Sequence, residues 1–128
     1  MSVPIKEIDV LEELYTKENP TEINLKKLAK LLGVKDKEIA TALGVDATSL
    51  SRKPYASSNP KLKQWHSLFN LIIRIFAEAD PELTNEQIKI KMQRWLRTPR
   101  PEFNDRTALD EMLKGRSRKV RNLLEQLL

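Results

Sequence analysis

The sequence predicts an all-α protein, a small N-terminal helical module followed by a second helical unit. Three observations predict it. Apolar residues recur at helical spacing almost throughout, and no stretch alternates as a strand would. The three glycines all fall where apolar runs end, as helix-stopping residues do. Residues able to cap a helix (Asp36, Asp46, Asn59, Thr84, Thr107 and Ser117) stand just ahead of most runs.

The elements follow in order. Ile5, Ile8, Leu11 and Tyr15 give a weak amphipathic helix that Asn19-Pro20 ends, within an acidic extension over residues 1–22. Leu25, Leu28, Ala29 and Leu32 are spaced i, i+3, i+4, i+7 and stop at Gly33. Asp36 is placed to cap a helix holding Ile39, Ala40 and Leu43, which stops at Gly44. Asp46 is placed to cap a short helix with Leu50 facing inward. Residues 54–60, PYASSNP, read as a linker between a module over 23–58 and a second unit over 59–128.

Asn59 and Pro60 supply an N-cap and a first-turn proline for a long helix. It carries two apolar stripes, Leu62/Trp65/Phe69/Ile72/Phe76 and Leu68/Ile75/Ala79. So wide an apolar arc suits a central helix or a dimer seam. A homodimer would cover the second stripe. Thr84 and Gln87 form a capping box for a helix with Ile88, Met92, Trp95 and Leu96 inward. A polar loop spans residues 98–106. Thr107 caps a helix with Leu109, Met112 and Leu113 that ends at Gly115, and Ser117 opens the last, with Val120, Leu123, Leu124 and Leu127.

Composition narrows the function classes. The 128 residues are 40% apolar, enough for a core, and contain no cysteine, so disulfides and thiolate metal sites are excluded. A reducing cytoplasm suits such a chain. No basic-then-apolar leader opens it, and no apolar run is long enough for a membrane span. The single histidine, His66, has no nucleophile or metal-ligand partner in the pattern, and no glycine-rich phosphate loop exists. Neither a catalytic site nor a cofactor is expected. The net charge of +5 is uneven: residues 1–22 hold six acidic residues against two lysines, so the rest of the chain is strongly basic. That balance suits a polyanion or an acidic partner, or only keeps the chain in solution.

The chain writes a near-repeat, LAKLLGV over 28–34 and IATALGV over 39–45, and only the second is followed by hydroxyl and basic side chains. In a helix-turn-helix a small residue sits where two helices cross, a glycine in the turn takes positive φ, and the second helix projects its first side chains into the DNA major groove. Ala40 and Gly44 fit the first two places, with Val45 and Leu50 as plugs between the helices. Thr48, Ser49, Ser51 and Arg52 face outward, with Lys53 next, and all can reach bases or phosphates. Lys53 stands where a second apolar plug is usual, so that work falls to Tyr55. A plain corner between two helices is the alternative. The basic residues around Trp95 and near the C-terminal end are solvated helix faces, a surface for an acidic partner, or phosphate contacts.

The segment WLRTPRPEFNDRTALDEMLKGRSRKVRNLLEQLL resembles the toxin-binding domain of the Xre/MbcA/ParS antitoxin family. The matching positions are Trp95, Leu96, Pro99, Pro101, Arg106, Thr107, Leu109, Leu113, Gly115, Val120, Leu123 and Leu124. With the module in front, the resemblance spans roughly residues 25–128. Asp105 stands where that family often has glycine, and Ala108 where it often has proline. The resemblance implies a bacterial type II antitoxin that masks an NAD-consuming or ADP-ribosylating RES-domain toxin, represses its own operon through double-stranded operator DNA, and forms a homodimer. It points to Arg97, Pro99, Arg100, Arg106, Arg116, Arg118, Leu127 and Leu128 as toxin-binding residues. A stand-alone transcription regulator, or an adaptor that binds protein and not DNA, would carry many of the same features.

Overall fold

The computed structural model describes residues 10–11, 14, 23–46, 48 and 60–127, and the backbone of 55–56. Among the described residues the protein is all-α apart from one short antiparallel pair. The elements are β1 (Ile23–Asn24), α1 (Leu25–Leu32), α2 (Asp36–Leu43), β2 (Tyr55–Ala56), α3 (Pro60–Ala79), α4 (Asn85–Arg97), a 3₁₀ turn (Pro101–Phe103), α5 (Ala108–Leu113) and α6 (Ser117–Leu127).

The near-repeat forms two copies of one structure. Gly33 and Gly44 both sit in the left-handed region, at φ 70° and 72°. The N–H groups of Gly33 and Val34 donate to the carbonyls of Lys30 and Ala29, at 3.2 and 3.0 Å. Those of Gly44 and Val45 donate to Thr41 and Ala40, at 3.2 and 2.9 Å. These are Schellman closures, each satisfying the last carbonyls of its helix. They differ in the residue after the glycine. Val34 is half-buried against the core, whereas Val45 is 37% exposed.

Helix starts hold one correction. Lys35, not Asp36, is the N-cap of α2; Asp36 begins the helix and complements the positive end of its dipole. Asn24 caps α1 by accepting from the Lys27 N–H at 3.1 Å. The capping boxes at Thr84/Gln87 and Thr107/Asp110 are both present. Asn59 lies outside the described residues.

The expected linker is partly a strand. Ile23 pairs with Ala56 and Asn24 with Tyr55, which brings the two ends of the N-terminal module side by side. A pair this short leaves no room for the alternation by which strands are read. Nor is the module separate from the second unit. Buried residues of β1, α1 and α2 belong to the same core as those of α3 to α6, and Leu11 and Leu14 join it.

α3 is the central helix, lying against both α4 and α6. That arrangement buries Leu62, Trp65, Leu68, Phe69, Ile72 and Ile73 within one chain. The second stripe is therefore partly covered: Leu68 is buried, Ile75 half-buried and Ala79 exposed. Dimerisation no longer follows from an uncovered stripe. Among the described residues no helix is long and apolar enough to cross a membrane.

Candidate functional site

Two regions concentrate the candidate residues. The first begins at Gly44. Ala40 is buried. The Asp46 carboxylate accepts the N–H of Thr48 at 3.2 Å, the start of a local capping turn. Thr48 is exposed. Leu50, Ser49, Ser51, Arg52 and Lys53 lie outside the described residues, as does the side chain of Tyr55.

Both Schellman corners receive side chains from the second half of the chain. Lys61, in the first turn of α3, donates to the Ala42 carbonyl at 2.7 Å. Gln93 on α4 donates to the Leu31 carbonyl at 3.0 Å. A Cβ on Gly33 would coincide with the guanidinium of Arg97, so that cation lies directly over the end of α1. Cations at Ala42 and Gly33 complement the negative ends of the two helix dipoles.

The second region runs from the end of α4 to the start of α6. Residues 98–106, expected as a polar loop, are closed on themselves. The Arg100 N–H donates to the Arg106 carbonyl at 3.0 Å, and the Asp105 N–H donates to the Arg100 carbonyl at 2.9 Å. Phe103 is the buried plug beneath. Asn104 and Asp105 take φ 55° and 65°, which explains why glycine suits this turn and why short polar side chains can replace it. Ala108 occupies the first helical position after the Thr107 cap and is fully buried.

Trp95 is half-buried, not inward like its neighbours. Ile88, Met92 and Leu96 fill the buried face, and a residue three positions past Met92 sits on its flank. The Arg100 guanidinium covers the ring, 5.3 Å from its centre.

Beneath the loop lies a buried carboxylate, Glu111, with no solvent exposure. Arg106 Nε donates to its Oε1 at 2.6 Å, and Arg116 Nε to its Oε2 at 2.5 Å. The hydrogen bond from Arg116 is the largest influence on the carboxyl and lowers its pKa from 4.5 to about 2; desolvation opposes, and the Arg106 hydrogen bond adds. The same bond raises the pKa of Arg116. Glu111 is the residue that sequence reading missed. Its signal was an acidic residue on the inward side of a short helix, flanked by two arginines each five residues away.

The expected partner-binding residues therefore divide. Arg106 and Arg116 hold Glu111, Arg97 caps α1, and Arg100 covers Trp95. Pro99 and Arg118 are exposed, Leu127 is half-exposed, and Leu128 lies outside the described residues. Arg94, Arg97 and Thr98 border a shallow cleft of about 460 Å³ with Ile90 and Gln93. Among the described residues no cluster of His, Cys, Asp or Glu could hold a metal ion. His66 on α3 has its pKa lowered by burial. Compared with protein-family models, curated proteins and solved structures, the chain matches none.

Proposed function

We propose that this chain is a type II antitoxin. In this reading it masks a RES-domain toxin with the surface after α4 and represses its own operon through a helix-turn-helix built on α2, Gly44 and the residues after it. The single observation that carries the reading is the closed turn over residues 98–106. It joins Trp95, Arg100 and the exposed Pro99 in one ordered surface, with the positive-φ pair Asn104-Asp105 where the resembling family often has glycine. A surface ordered before binding loses little conformational entropy on association. The second support is the Gly44 corner, whose positive φ, buried Ala40 and following Asp46–Thr48 turn are compatible with the start of a helix-turn-helix.

The test is co-expression with the RES-type toxin encoded beside it. Growth should be rescued by the wild-type chain and lost with Pro99→Asp combined with Arg118→Glu, two exposed positions whose change leaves the Glu111 cluster intact. Arg116→Glu is unsuitable, because it would bring a second carboxylate to Glu111. Removing residues 114–128 is unsuitable too, since α6 buries Val120, Leu123 and Leu124 in the common core. Full rescue by the double variant would place masking elsewhere. On the DNA side, Arg52→Ala should cost about 1–3 kcal/mol in operator binding if Arg52 reads a guanine.

A further inference from the structure

Several cations on the second half of the chain have a carboxylate beside them. Arg74 pairs with Glu78, Lys89 with Glu86, Arg100 with Glu102, and Arg121 with Glu125. Others, such as Lys91, Arg118 and Lys119, have none among the described residues, and among these cations without a carboxylate four exposed ones gather around one corner. Lys26 and Lys30 on α1, and Arg94 and Arg97 on α4, have no carboxylate within 4.0 Å among the described residues. α1, with sequence LKKLAKLL, contains no acidic residue at all.

These four form one line. On a helix, Lys26, Lys30 and Gly33 share a face, and a rise of about 1.5 Å per residue spaces them roughly 6 and 4.5 Å apart along the axis. The guanidinium of Arg97 occupies the place above Gly33 and continues the line onto α4. Arg94 comes next, three residues back on the same outer face and on the same cleft as Arg97. An exposed apolar side chain, Ile90, lies four residues before Arg94 on the same cleft, at the end of this line and not at its centre. A protein interface needs a buried aromatic or aliphatic anchor at its centre. A line of cations without carboxylate partners, with Arg97 also serving the end of α1, instead suits a regularly charged polymer.

We propose that this stripe is a phosphate-backbone contact for duplex DNA, lying beside the module that reads bases. The inference rests on the DNA-binding half of the proposed function and extends it: the second half of the chain supplies two of the four cations, so α4 belongs to the DNA surface. The stripe contributes affinity that is independent of base sequence and sensitive to salt.

The experiment is fluorescence anisotropy with a fluorescein-labelled random-sequence duplex of about 20 base pairs, across salt between roughly 50 and 200 mM. Every phosphate no longer neutralised should reduce the slope of log affinity against log salt by about one. Lys26→Gln with Lys30→Gln should therefore flatten it by roughly two, and Arg94→Gln with Arg97→Gln by a similar amount. Arg74→Gln, whose parent is paired with Glu78, should leave the slope unchanged. Arg97 also supports α1, so the lysine pair carries the test if the arginine pair lowers the melting temperature. A slope equal to wild type in the lysine variant overturns the proposal. So does a wild-type chain that fails to bind the duplex at low salt, or stripe variants that lose only binding to polyglutamate. Arg52→Ala separates the two readings. It should lower the ratio of operator to random-duplex affinity while leaving the random-duplex slope within one unit of wild type; no operator preference with an intact stripe slope would overturn the base-reading helix alone.

Discussion

Replacing Glu111 by glutamine tests whether a buried ion pair organises the second half of this protein. The wild-type carboxylate is fully buried and accepts from Arg106 and Arg116. Glutamine keeps the shape, but its amide turns a donor toward two groups that only donate. Lowering the carboxyl pKa from 4.5 to about 2 is equivalent to about 3 kcal/mol if nothing screened it. Both guanidiniums are about a third open to water (34% and 37% exposed), so about 1–2 kcal/mol is the expected contribution. The sign follows from proton binding. Glu111 holds its proton less tightly when folded than when unfolded, so its contribution is complete above pH 4.5 and fades as pH falls toward 2. Urea denaturation followed by circular dichroism, for wild type and Glu111→Gln at a series of pH values, reads this directly. The gap between the two proteins should be widest at neutral pH and narrow steadily as the solution is acidified below 4.5. A gap that does not change with pH would refute the electrostatic account, and no gap at all would show that the two arginines are served as well by water.

Gly44→Ala should cost about 1 kcal/mol from left-handed strain, since among the described residues beyond its chain neighbours no atom lies within 4 Å of the added Cβ. Gly33→Ala should cost more, and Arg97→Ala should recover part of the excess in a double-mutant cycle of melting temperatures. Trp65→Ala should destabilise by roughly 3–5 kcal/mol, and Trp95→Ala by clearly less, because only one side of that ring is buried; denaturant midpoints compare them. Thr84→Ala should remove about 1 kcal/mol through its cap, by the same measurement. Burial of His66 predicts that stability falls as pH drops through 6.5, because the unfolded chain takes up the proton more readily; His66→Gln should flatten that stretch of the stability profile.

Helix periodicity and stop signals made most of the architecture legible. Gly33, Gly44, Thr84 and Thr107 announce their roles through backbone chemistry that is local, and local rules can be read along a line. The parts that stayed hidden depend on residues distant in sequence. Nothing near Ile23 shows that it pairs with Ala56. Trp95 reads as inward from its spacing, yet Arg100 decides its environment from outside the helix. Arg106 and Arg116 read as free cations until the fold turns Glu111 between them. Leu68 looked unpartnered because one helix cannot show that both α4 and α6 lie against it. At the candidate site, the turn over residues 98–106 was legible, but its closure and the plug at Phe103 were not.

Polar side chains that reach from the second half to the two corners donate to main-chain carbonyls, those of Leu31 and Ala42, and Arg97 fills the space above Gly33. Main-chain groups look alike whatever side chains surround them. These hydrogen bonds require that α1 and α2 end where they do, and Arg97 requires that Gly33 stay free of a side chain. The hydrogen bonds to the Leu31 and Ala42 carbonyls do not themselves call for any particular side chain after Gly44. A lineage could thus change what the module recognises in small steps while the surface built from Trp95 onward stays as it is.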